Sequence, residues 1–76
     1  MTRFEYLVAN VRDGRVWSAN DHWQGTVPRG EPGGDASCPT LLEYLEEAGA
    51  QSWELVAVDP ETEGTAILYF KRARTG

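Results

Sequence analysis

The sequence predicts an α+β domain of two layers, in the order β-β-α-β-β: an antiparallel sheet of three long strands plus a short edge strand, with one helix packed on one face. Three observations carry this prediction. Residues 3–12 are rich in aromatic and β-branched side chains and end on Asp13-Gly14, a dipeptide that accepts the positive φ angles of a tight hairpin. Leu41, Leu42, Leu45 and Ala48 recur at helical spacing, with Glu43, Glu46 and Glu47 turned outward. Residues 53–58 and 65–72 read as strands flanking the turn Asp59-Pro60-Glu61-Thr62-Glu63-Gly64.

Taken in order, the first strand (3–12) pairs through Asp13-Gly14 with a short one at 15–19. Composition then shifts. Residues 20–37 hold Gly25, Gly30, Gly33 and Gly34 together with Pro28 and Pro32. The segment reads as a long loop, and connections of that length in compact domains either carry function or lack order. His22, Trp23 and Val27 are expected to pack in its first half, with residues 29–35 free to move. The helix is expected to begin on a Ser37 or Cys38 cap, with Pro39 in the first turn, where a missing N–H costs nothing. Gly49 is expected to supply the left-handed stop. Up-and-down alternation then lays the last strand antiparallel beside the first, giving the sheet order 53–58, 65–72, 3–12, 15–19.

Side chains alternate across a sheet, and here both faces read as apolar. Phe4, Tyr6 and Val8 oppose Leu7, Ala9 and Val11 in the first strand, and Ala66, Leu68 and Phe70 oppose Ile67 and Tyr69 in the last. One helix covers one face. An antiparallel sheet with one wet side alternates apolar with polar, so the second face is expected to be covered by something else. The cover is expected to be the Trp23-bearing loop, another protein or a second copy of the chain, and the second copy is favoured, most simply as a dimer, through a self-association face of Val56, Val58, Ile67, Tyr69 and Leu7. Small chains often draw stability from oligomerisation.

Seventy-six residues build one core, so a single domain is expected over residues 1–76. The net charge is −5, and residues 31–70 contain nine acids and no Lys or Arg. Phosphate backbones reward clustered cations, and Lys71, Arg72 and Arg74 form the one cluster, so nucleic-acid binding is disfavoured. No apolar run approaches the roughly 18–20 residues that span a bilayer, and Met1-Thr2-Arg3-Phe4-Glu5 lacks the apolar stretch of a secretory signal. No membrane association is expected, and the expected location is the cytoplasm. Cys38, the single cysteine, fits that reducing compartment and excludes an intrachain disulfide. One Cys and one His fall short of the four ligands of a zinc site, so no metal or other cofactor is expected.

Tyr6-Leu7-Val8, the run Leu41-Leu42-Glu43-Tyr44-Leu45-Glu46-Glu47-Ala48-Gly49, Ser52-Trp53-Glu54-Leu55-Val56-Ala57-Val58 and Tyr69-Phe70-Lys71-Arg72 together resemble a small bacterial domain of unknown function. That family has a leucine-rich helix, a G-W-E-L-V-like strand and a terminal F-K-R strand. The resemblance covers about two thirds of the chain, with Ser52 standing where the family has glycine. It implies the fold and no catalytic residue.

Trp17, His22, Trp23 and Cys38 are the candidate ligand- or partner-binding residues. Indoles offer flat apolar contact and one N–H donor, which suits an interface or a stacked ligand. A thiol near a helix start with His22 as base is the arrangement of a nucleophile, and Asp21-His22 with Glu31 and Asp35 offers carboxylates beside an imidazole. No orienting motif accompanies either group, and the expectation is a capping or half-buried thiol and solvated loop charges. The function expected is therefore a non-enzymatic binding or accessory module that self-associates through its second sheet face and contacts a protein partner. The alternative is a small-molecule-binding protein or minimal enzyme with its site between residues 20–37 and the sheet.

Overall fold

The computed structural model describes residues 2–74. It is an α+β fold with one antiparallel sheet and one helix. The strands are β1 (Arg3–Arg12), β2 (Arg15–Ala19), β3 (His22–Trp23), β4 (Glu54–Pro60) and β5 (Thr65–Arg74), and the helix is α1 (Leu41–Ala50). The sheet order is β3-β2-β1-β5-β4, so the expected four strands stand in the expected order and a fifth is added at the β2 edge.

The β1–β2 hairpin turns at Asp13 (φ 50°) and Gly14 (φ 76°), between the paired residues Arg12 and Arg15. A second two-residue turn follows at Asn20 (φ 48°) and Asp21 (φ 67°), between the paired Ala19 and His22. Asn and Asp tolerate this left-handed backbone, which makes β3 possible without glycine. Residues 20–37 are thus not one structureless connection. They contain β3, a 3₁₀ turn at Asp35–Ser37 and a buried Gly34.

Helix α1 starts two to three residues later than expected. Its N-cap is Thr40, whose hydroxyl accepts from the Glu43 N–H at 3.2 Å, while the Glu43 carboxylate accepts from the Thr40 N–H at 2.9 Å. This reciprocal box satisfies two orphan donors, so Ser37 and Cys38 are not the cap and Pro39 precedes it. Gly49 lies inside the helix. The left-handed residue is Ser52 (φ 70°), and the Ser52 N–H to Gly49 C=O (3.0 Å) and Trp53 N–H to Ala48 C=O (2.9 Å) bonds close the helix end.

The core sits between α1 and one face of the sheet. Ala9, Val11, Val16, Ala48, Leu68 and Phe70 are buried there, with Leu7, Leu41, Tyr44, Leu45, Trp53 and Ala66 packed against them. The register explains the set: Leu7 pairs with Phe70, Ala9 with Leu68 and Val11 with Ala66, and cross-strand partners share a face. Tyr44 tilts against Phe70 at 6.1 Å between ring centroids. Ten helical residues span roughly 15 Å, which is too short to reach across the sheet. Strand β4 is exposed along its whole length. The radius of gyration is 13.2 Å, against about 11 Å for a compact chain of this size, and the long axis is 47 Å.

Candidate functional site

Two surfaces carry the candidate residues. The first is the sheet face turned away from α1. Alternation from the core residues places Phe4, Tyr6, Val8 and Asn10 of β1 on it, with Ile67, Tyr69 and Lys71 of β5. Ala57 and Asp59 of β4 join them by pairing with Tyr69 and Ile67. Tyr6 is 64 % exposed, Phe4 is exposed, and Val8, Ile67 and Tyr69 are only half-buried. The Lys71 ammonium lies 4.8 Å from the Phe4 ring centroid on this face.

The five residues expected to form one self-association face do not share a face. Ile67 and Tyr69 lie on the side away from the helix. Leu7 packs against the core opposite Phe70, and Val58 pairs with Leu68 on the helix side, where it is 52 % exposed. Leu7 is placed by the β1–β5 register, and Val58 by a bulge between Leu55 and Ala57, in which Val56 is the extra residue and shifts the phase of β4. Leu55, Val56 and Val58 are nonetheless all exposed, so β4 offers apolar side chains to solvent along its length.

The second surface is a tryptophan cluster at the β2–β3 end of the sheet. A bulge places Ser18 opposite Asn10 and Val16 opposite Val11, leaving Trp17 as the extra residue between them. Trp23 arrives beside it because β3 pairs Trp23 with Ser18. The turn that delivers it is anchored by Asn20. Its Oδ1 accepts from the Val8 N–H at 2.8 Å, its Nδ2 donates to the Tyr6 carbonyl at 3.3 Å, and its own N–H donates to the Val8 carbonyl at 2.8 Å. Asn20 thereby occupies β1 backbone groups beyond the end of β2.

The segment after β3 folds back over the indoles. Trp23 Nε1 donates to the Val27 carbonyl at 2.9 Å, the Val27 N–H donates to Ser37 Oγ at 3.1 Å, and Ser37 Oγ donates to the Gly34 carbonyl. A Cβ on Gly25 would stand 2.7 Å from Trp23 Nε1 and 2.5 Å from Ser37 Oγ, so only glycine lets the backbone pass this close to the indole. The Arg29 guanidinium lies 4.8 Å from the Trp17 ring centroid and 5.7 Å from that of Trp23. On Trp17 there is also the Arg12 guanidinium, at 5.4 Å. Asn10, Trp17, Ser18, Asp21, Trp23 and Arg29 line a cavity of about 230 Å³.

Of the four residues expected at one site, Trp17 and Trp23 come together and the other two do not join them there. His22 is exposed. Cys38 is 2 % exposed and lines a separate cavity of about 230 Å³ with Arg12, Arg15, Trp17 and Asp35. Burial pushes the Cys38 thiol pKa up, Asp35 adds to the rise, and Arg15 and Arg12 oppose it. The thiol is therefore protonated near neutral pH, the opposite of what a nucleophile needs. Among the described residues, no three His, Cys, Asp or Glu side chains are grouped to hold a metal ion, so Asp21, His22, Glu31 and Asp35 are not gathered into a cluster.

Arg29 and Asn20 were missed from the sequence, and Asp21, expected beside His22, Glu31 and Asp35, instead sits in the β2–β3 turn and lines the Trp17–Trp23 cavity. A lone cation between Pro28 and Gly30 carried a signal for the first, and the adjacent pair Asn20-Asp21 carried the turn. No helix of the described residues is long and apolar enough to cross a membrane. Compared with known proteins, the chain matches no family model, no curated protein and no solved structure.

Proposed function

We propose that this chain is a non-enzymatic binding module that self-associates as a dimer through the sheet face turned away from α1 and presents its tryptophan end to a protein partner. One observation carries the reading. The apolar row Tyr6, Val8, Ile67, Tyr69 and Ala57 lies on the face opposite the helix and stays exposed or half-buried.

The occupant favoured is a second copy. The core is small, and chains of this size commonly gain stability by association. The strands are also electrically polarised along their length. On the face turned away from α1, Lys71 of β5 lies toward one end of the strands and Asp59 of β4 toward the other. A copy laid face to face with its strands reversed brings opposite charges together, and the contact is self-complementary, as a two-fold interface requires.

The test compares two variants in sedimentation equilibrium. Tyr6 and Leu42 are similarly exposed, Tyr6 on the uncovered face and Leu42 on α1. Tyr6→Asp is expected to weaken the dimer by about tenfold or more, while Leu42→Asp leaves it unchanged. Equal effects, or none, would remove the sheet face as the interface.

A further inference from the structure

The tryptophan cluster has the composition of a cation site, and the chain's own Arg29 shows which cation it takes. Two indole rings flank one guanidinium, Trp17 at 4.8 Å and Trp23 at 5.7 Å, and the negative faces of aromatic rings attract a cation held at such distances. Asp21 lines the same cavity. Among the described residues Asp21 makes no ion pair, and neither does Arg29, although both line this one space. Asn10 Nδ2 is committed to Ser18 Oγ at 2.8 Å, which leaves the Asn10 carbonyl as a neutral acceptor on the wall. Beside Arg29, the lining offers two indole rings, the Asp21 side chain without an ion pair and the Asn10 side-chain oxygen as an acceptor.

Arg29 itself is weakly held. It is exposed and lies between Pro28 and Gly30, whose φ is 89°. No hydrogen bond or salt bridge among the described residues fixes its guanidinium, so stacking alone keeps a long, rotamer-rich side chain in place. The walls, in contrast, are built in: Trp17 by the β2 bulge, Trp23 by its strand pairing and its bond to the Val27 carbonyl, and Asp21 by the turn between β2 and β3.

We infer that the Trp17–Trp23 cavity is a binding site for an external guanidinium group, with Asp21 as its counter-charge and Arg29 as an internal plug that the ligand displaces. A planar guanidinium stacks on indole and also bonds a carboxylate edge-on, which an ammonium does less well. Free arginine and an arginine side chain in a polypeptide share this chemistry.

Binding is read by intrinsic tryptophan fluorescence on the full chain, with Nα-acetyl-arginine amide, free arginine and Nα-acetyl-lysine amide as probes. Arg29→Ala is expected to bind the acetyl-arginine amide at least about tenfold more tightly than the unaltered chain, and more tightly than the lysine probe. Asp21→Asn in that background is expected to reverse most of the gain. Preference for the acetylated amide over free arginine identifies a polypeptide side chain as the ligand, and the reverse preference identifies the amino acid. On the unaltered chain, NMR titration is expected to move the indole N–H signals of Trp17 and Trp23 and leave that of Trp53 in place, which tests the site even if Arg29→Ala fails to fold. No saturable response in either experiment, or equal binding of the lysine probe, would overturn the inference.

Discussion

Arg72 lies across Trp53, its guanidinium 4.1 Å from the centroid of the indole ring. The same guanidinium bonds the Glu5 carboxylate at 2.7 Å and donates to the Gln51 carbonyl at 2.9 Å. One side chain on β5 thus ties the start of β1 to the end of α1, where a helix leaves carbonyls without intrahelical donors. Exposed ion pairs contribute little, and solvent screens this one in part, so the stacking and the carbonyl bond matter as much as the charge. Arg72→Ala is expected to lower unfolding stability by about 1–2 kcal/mol in urea titration. Arg72→Lys should recover only part, since a lysine cannot stack flat and fork to two acceptors. A loss below the error of the titration would show that the three contacts add nothing.

Ser52 holds the left-handed position that ends α1, where a Cβ is unfavourable. Ser52→Gly is expected to stabilise the chain by about 1 kcal/mol, less whatever the added freedom of the unfolded chain takes back. The melting temperature should rise by roughly 4–8 °C per kcal/mol in a domain this small. A fall would mean that the serine hydroxyl, and not the backbone angle, governs the position.

The cap of α1 gives a pH dependence with a definite sign. Glu43 is held below the ordinary glutamate pKa, first by the Thr40 backbone N–H, then by the Thr40 side chain and to a lesser degree by Arg15. A depressed carboxylate contributes stability that is present above its unfolded-state pKa and lost as pH falls through its folded value. The difference in melting temperature between the unaltered chain and Glu43→Ala is therefore expected to shrink on acidification below the ordinary glutamate range. Thr40→Ala, which removes the hydroxyl acceptor, should cost roughly 1 kcal/mol at neutral pH. A Glu43→Ala difference that stays constant with pH would show that the carboxylate charge plays no part.

Cys38 runs the other way. Its raised thiol pKa means that its contribution is complete below the ordinary thiol range and is lost as pH rises through the folded value. A thiol-disulfide reagent at neutral pH is expected to label the native chain at least about tenfold more slowly than the chain unfolded in urea. Equal rates would place the thiol in solvent.

Much of the fold was legible because its signals are local. Asp13-Gly14 announced the first hairpin, and Leu41, Leu42, Leu45 and Ala48 announced the helix. The second hairpin escaped because its turn, Asn20-Asp21, carries no glycine and its strand has only His22 and Trp23. Thr40 and Glu43 stood in the sequence as a capping box, but Pro39 read as a first-turn residue and drew the cap upstream. The grouping of Val58 and Leu7 with Ile67 and Tyr69 failed for a different reason. Period-two alternation cannot register strands against each other, and a single bulge at Val56 changes the phase. At the site, the two tryptophans were legible as residues suited to stacking, whereas Arg29 was not, because only the folded path of residues 24–38 brings it between them.

The central claim is that the sheet face bearing Tyr6, Val8, Ile67 and Tyr69 is covered by a second copy. Light scattering of the purified chain across a wide concentration range tests it most directly. The account predicts a mass of twice 8.4 kDa that falls toward the monomer only on dilution. A folded chain that stays at 8.4 kDa at every concentration would contradict it.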